Sequence, residues 1–164
     1  MGRLIAQLAA FAAFALAVGA LAVYPRYEVA SAGEGALRLS IAAPGRILGE
    51  CRRLTPAELA ARAPNMRAEL ECPRERSPLR VRLEVDGDTL YEAALPPSGI
   101  ARDGNARAYR LFPLAAGRHE LFVQVSDDER VPGYAFQRRV HVDLAPGQLI
   151  TVDFQRERGG VLIL

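Results

Sequence analysis

The chain contains no lysine, only two cysteines and only two histidines in 164 residues. Each scarcity removes a class of chemistry. All 21 basic side chains are arginine, and 19 acids oppose them, so the chain is nearly neutral and no basic tract is concentrated in it. Nucleic-acid binding therefore lacks its main electrostatic support. Neither cysteine lies in a C-x-x-C-H run, which excludes that form of haem attachment, and 20 residues separate them, which excludes a thioredoxin-like pair. There is no low-complexity tract and no internal repeat. Ser98, in Pro96-Pro97-Ser98-Gly99, lacks the strand–elbow–helix context of a nucleophile. Asp127-Asp128-Glu129 lacks the alternating ligands of a calcium loop and reads as a solvated turn. Asp86 and Asp88 flank Gly87 and are explained by turn chemistry. No residue set points to catalysis or to a cofactor.

What is present begins with one long apolar run. Leu4 to Tyr24 carries a single polar side chain, Gln7, and no charge. About 20 apolar residues in a helix cross a hydrocarbon core of roughly 30 Å. The run is thus expected to be a transmembrane anchor over residues 4–24, behind a cytoplasmic tail over 1–3. A cleavable signal peptide is the rival, with Ala20-Leu21-Ala22 or Ala30-Ser31-Ala32 as cleavage sites, but its apolar region normally runs only about 7–15 residues. The arginine balance across the span is close to a tie. The short amino-terminal tail before a long polar domain favours a domain outside the cytoplasm. Bacterial inner membrane and periplasm are the expected locations. Ala6, Ala10, Ala13, Ala17 and Ala20 recur at spacings of four and three, and Ala15 and Gly19 form a second small pair. In lipid, small residues let helix backbones approach, so the stripe is a candidate contact with an integral membrane partner. The competing reading is plain alanine abundance in a GC-rich genome.

Residues 25–35, with Pro, Gly, Ser and Glu, read as a linker. Residues 36–164 are then long enough for one domain with its own core. Period-two alternation marks strands at 36–43, 79–86, 89–95, 107–114, 119–126, 136–144, 149–154 and 161–164. The clearest is LRVRLEVD, in which Leu79, Val81, Leu83 and Val85 share a face. Asp86-Gly87-Asp88 turns it into a hairpin. Strands this short between Gly/Pro turns predict a mainly β, antiparallel sandwich.

The rhythm of the hairpin, "PLAAGRHELFVQVSDD" and "RRVHVDLAPGQLITVDF" resembles the small immunoglobulin-like and PEGA-like sandwich modules of bacterial envelope proteins. Gly117 before an alternating strand, and Pro146-Gly147 before the last long one, carry the resemblance. It covers about half of the chain and implies an interaction or spacing module without catalytic residues. Residues 51–72 have no counterpart in that pattern.

That stretch, CRRLTPAELAARAPNMRAELEC, begins and ends with the two cysteines. Thr55-Pro56-Ala57-Glu58 is a capping box and predicts a short helix that ends near Pro64. Outside the cytoplasm a Cys51–Cys72 disulfide is favoured, worth roughly 3 kcal/mol on the chain-entropy account. It would present residues 64–67 at a constrained tip, making Asn65, Met66 and Arg67 candidate partner contacts. The alternative is a metal set of Cys51, Cys72, Met66 and His119, which suits copper chemistry but has no spacing signature. Two functions follow. One is a non-catalytic accessory subunit of a larger membrane complex, a respiratory one among the candidates, held in the bilayer by its anchor. The other is an extracytoplasmic assembly or copper-delivery factor.

Overall fold

The computed structural model describes residues 2–24, 31 and 33–164. Strand makes up 46% of the chain and helix 22%, and most of that helix is the amino-terminal segment α1 (Gly2–Val23). α1 is long and apolar enough to span a membrane, and none of its residues is buried. It begins at Gly2, ahead of the expected Leu4, because Arg3 falls within the first turn. The Tyr24 N–H donates to the Ala20 carbonyl at 2.9 Å and closes the last turn. Most of the expected linker, residues 25–30 and 32, lies outside the described residues, and so does most of the Ala30–Ala32 cleavage site.

After the linker the elements run β1 (Glu34–Ala43), β2 (Arg52–Arg53), α2 (Pro56–Ala61), β3 (Leu70–Glu71), β4 (Leu79–Val85), β5 (Asp88–Leu95), β6 (Ala106–Ala115), β7 (Gly117–Ser126), β8 (Phe136–Leu144), β9 (Leu149–Gln155) and β10 (Gly160–Ile163). They form two four-stranded sheets, β10-β9-β1-β6 and β5-β4-β7-β8, and the small ladder β2-β3. Each strand read from alternation is present within one or two residues of its expected bounds. β4 alternates buried and half-buried along its whole length, as its sequence dictates. Asp86 (φ 54°) and Gly87 (φ 92°) both adopt left-handed backbone, the geometry that a two-residue hairpin needs to match strand twist.

Leu37, Leu39 and Ile41 of β1, Leu79, Val81, Leu83 and Val85 of β4, Leu121, Val123 and Val125 of β7, and Ile150, Val152 and Phe154 of β9 belong to one core shared by both sheets. Each of these side chains contributes about 1.5–3 kcal/mol by leaving water. Three features differ from the sequence reading. β1 pairs with β9 in parallel, so the first sheet is mixed. The Ala115–Gly117 and Ala145–Gln148 turns carry the chain from one sheet to the other, where hairpins look the same in sequence. The ladder β2-β3 is too short for alternation to reveal.

One outer edge of each sheet is blunted. On β6, Arg110 occupies the core-facing row opposite Leu39 yet stays exposed, and Pro113 has no N–H to offer. On β8, Arg138 shares the row of Val140 and Val142, and its Nη1 donates to the Val161 carbonyl of β10 at 3.0 Å, tying the two sheets together.

Past β1 the chain crosses toward the second sheet. A side chain at Gly45 would place its Cβ 1.8 Å from the Ser77 carbonyl oxygen. Backbone must therefore move to admit even alanine. Gly45→Ala is expected to destabilise the domain by on the order of 3 kcal/mol, read as a lower midpoint in chemical denaturation. An unchanged midpoint would show that this junction relaxes freely.

Candidate functional site

The 51–72 insert grows out of the β1–β4 connection as a ribbon. Its two arms pair first through Ser77 N–H to Arg46 O (2.7 Å), the Ile47–Arg76 bridge and Leu48 N–H to Glu75 O (2.8 Å). Cys51 and Cys72 are bonded to each other, with Cα atoms 4.1 Å apart. Beyond them Arg52 pairs with Glu71 and Arg53 with Leu70, and Leu54 N–H donates to Glu69 O at 2.9 Å. The disulfide is thus a rung set between two short antiparallel ladders that share one register. β1 runs away from the side where the chain arrives from α1, so the insert projects from the far end of the sheets, roughly 30 Å along β1.

The capping box is formed. Thr55 Oγ1 accepts from the Glu58 N–H at 3.4 Å, and Glu58 Oε2 accepts from the Thr55 N–H at 2.8 Å. α2 ends at Ala61 and Pro64–Met66 then make a 3₁₀ turn, in which Asn65 and Met66, with Arg67 after them, are all exposed, Met66 to 67%. Only Leu54 of the insert is buried. Ion pairs replace the missing core: Arg52 reaches Glu58 (2.7 Å) and Glu71 (2.6 Å), and Arg62 also reaches Glu71. The Thr55 backbone N–H, then Arg52, hold the Glu58 carboxyl down at about 2. Arg62, then Arg52, lower Glu71. Exposed pairs of this kind stabilise little, but sharing them across α2, β2 and β3 selects one shape for the tip.

The four residues of the alternative metal set do not converge. Both sulfurs are committed to the disulfide. His119 lies beyond the far end of β4 from Cys72, so the length of that strand, about 20 Å, already separates them. Its parity is that of Leu121, and its side chain is only 15% exposed. Nδ1 meets Asp86 Oδ2 at 2.7 Å and Nε2 meets the Ala115 carbonyl at 2.8 Å, so His119 clamps the β4–β5 turn to the end of β6. Among the described residues, no group of three or more His, Cys, Asp or Glu side chains is placed to hold a metal ion. Ala6, Ala10, Ala13, Ala17 and Ala20 all lie within α1 and are exposed.

One cluster was not legible beforehand. Asp127, expected in a solvated turn, is 3% exposed at the end of β7. Its Oδ2 is paired with Arg156 and lies 3.9 Å from Arg46 Nε, while the Arg46 N–H donates to the Asp127 carbonyl at 2.7 Å. Asp128 is instead bound by Arg130, which holds its carboxyl at about 2. No period or motif marks Asp127, because its partners lie 81 residues upstream and 29 residues downstream in sequence (127 − 46 and 156 − 127).

Two outcomes are expected. Reduction should loosen residues 51–72 before the sheets melt, read by hydrogen exchange, and non-reducing peptide mapping should return one Cys51–Cys72 pair. The Asp86 hydrogen bond, then the Ala115 carbonyl, raise the His119 pKa, so its contribution is complete below the unfolded value near 6.5 and is lost as pH rises through the folded value. The excess melting temperature of the wild type over His119→Gln should therefore shrink as pH is raised from 6 to 9, and a constant excess would refute the charged clamp.

Compared with protein-family models, curated proteins and solved structures, the chain matches none.

Proposed function

We propose that this protein is a non-catalytic, membrane-anchored accessory subunit whose extracytoplasmic domain, an immunoglobulin-like sandwich, presents the 51–72 insert to a partner protein. The observation that carries the reading is the insert itself. It is a ribbon closed by a disulfide and an arginine–glutamate lattice, and it displays Asn65, Met66 and Arg67 at the end of the sheets opposite the chain's arrival from α1. A rigid tip loses little freedom on binding, which is how preorganisation raises affinity. An exposed methionine between polar neighbours is an adaptable apolar contact.

The disulfide supports an oxidising compartment, hence a domain on the outer side of the bacterial inner membrane with the amino terminus in the cytoplasm. The alanine stripe of α1 supports packing against transmembrane helices of the same partner. The copper-delivery alternative would need Cys51 and Cys72 as free thiols, and they form a rung of the ladder.

Gentle detergent extraction of native membranes should bring the full chain out in a fixed stoichiometric ratio with an integral membrane protein. Met66→Glu combined with Arg67→Glu is expected to weaken that association at least about tenfold, since loss of a hot-spot contact costs about 2 kcal/mol or more. Monomeric extraction, or a partner retained undiminished by the double variant, would count against the insert as the docking element. Tight copper binding by the reduced protein would favour the delivery reading instead.

A further inference from the structure

β1 and β9 are paired at only part of their length. The parallel register runs from Ala36–Leu149 to Leu39–Val152 and stops, although β1 continues to Ala43 and β9 to Gln155. β1 keeps β6 along its whole length, and Val152 to Gln155 of β9 keep β10. The first sheet is therefore split at one end.

Alternate residues of a strand direct their backbone groups to the same side. The Ala36 N–H donates to Gln148 O at 2.9 Å, so the even-numbered residues of β1, Ala42 included, face β9. Thr151 and Leu164 exchange both backbone hydrogen bonds, at 2.8 and 2.9 Å, so the odd-numbered residues of β9 face β10 and Phe154 faces β1. Ala42 and Phe154 thus turn their main-chain groups into the split. The Phe154 N–H is met by Asp153 Oδ1 at 2.7 Å, and Gln155 Nε2 holds the other oxygen of that carboxylate at 2.7 Å. The Ala42 carbonyl is reached by Asn105 Nδ2 at 3.4 Å, a long bond. Side chains stand where a strand would otherwise be.

The split is held open from both sides. Gly45 and Arg46 draw the end of β1 onto Ser77 and Asp127, and the Arg156–Asp127 pair holds the chain after β9. Two adjoining cavities of about 180 and 270 Å³ occupy it, sharing Ala42, Phe154 and Gln155 in their walls. Arg156 lines the mouth of the first. Beside the mouth, Arg46 and Arg156 flank the Asp127 carboxylate, and Arg46 and Arg76 both lower the pKa of Arg156, after burial, as a surplus of like charges in proximity does. Glu157, also in the wall, offsets part of that surplus.

We infer that the split between β1 and β9 receives an extended peptide segment of a partner protein, which pairs with the Ala42 and Phe154 edges and directs an acidic side chain to Arg46 and Arg156. Strand addition supplies affinity through main-chain hydrogen bonds, and the guanidinium groups supply selection for a carboxylate. The occupant is extended rather than helical because the groups left over are strand-edge groups. It displaces Asp153 from the Phe154 N–H. This inference does not depend on the insert being a docking element.

The test titrates the full chain in detergent micelles with three hexapeptides, acetyl-TVTVTE-amide, acetyl-TVTVTQ-amide and acetyl-TPTPTE-amide, observed by amide chemical shifts. The glutamate peptide should move Ala42, Gly45, Phe154 and Gln155 and saturate, the glutamine peptide should bind about fivefold more weakly, and the proline peptide should not bind. Arg46→Gln should abolish the preference for glutamate. Asp153→Asn, which weakens the internal cap on the Phe154 N–H with little change of volume, should tighten binding of both alternating peptides. Equal shifts with the proline peptide or with free glutamate would reduce the site to an anion pocket and overturn strand pairing. No shift along either wall at about 5 mM peptide would overturn the proposal altogether.

Discussion

One buried carboxylate governs how the two sheets meet at their far end. Asp127 sits where β7 ends, and it joins Arg46 beyond β1 to Arg156 beyond β9. A carboxylate withdrawn from water is costly by several kcal/mol when alone, so its value depends on both guanidinium groups being in place. That requirement bends the chain after β1 away from its own sheet. The bend needs Gly45, because the backbone passes so close to Ser77 that no Cβ fits. The insert, the split sheet and the far-end loops all follow from this crossing.

The two ends of the domain are built on different physics. At the end where the chain arrives from α1, turns cross between sheets and His119 bridges Asp86 to Ala115, a short polar clamp beside the core. At the far end, hydrophobic burial gives out and covalent and ionic restraints take over. The insert buries one leucine and relies on a disulfide and on Arg52, Arg62, Glu58 and Glu71. Such a segment opens locally at lower cost than the sheets do, which suits a surface that must meet another molecule. Rigidity there depends on the redox state of the compartment, whereas the core does not.

Edges show the same division. β6 and β8 carry arginines in their core-facing rows, which discourages addition of further strands. Inside the split no such arginine stands on either strand. Asp153 and Asn105 satisfy two of its main-chain groups with side chains that can swing away, and Gln155 holds Asp153 in place. The first sheet guards its β6 edge and leaves an inner one on removable caps, so it is selective about where another chain can pair.

Much of this architecture was readable from the amino-acid order alone. Alternation in LRVRLEV and HELFVQVS requires half-buried strands, since one face of each must leave water and the other cannot. Asp86-Gly87 specifies its tight hairpin, Thr55 to Glu58 specify a capped helix, and the uncharged run after Arg3 specifies a helix that can span a bilayer; each rests on interactions within a few residues. The Cys51–Cys72 bond was reachable by elimination, because the chain has no other cysteine. The tertiary structure alone decided the rest. Whether Ala115–Gly117 reverses within a sheet or crosses to the next depends on which core the following strand completes, and local sequence is silent on that. The parallel pairing of β1 with β9, the inward parity of His119 and the burial of Asp127 between Arg46 and Arg156 are long-range matters. They are set by packing two sheets on one core, and no window of neighbouring residues contains the partners that enforce them.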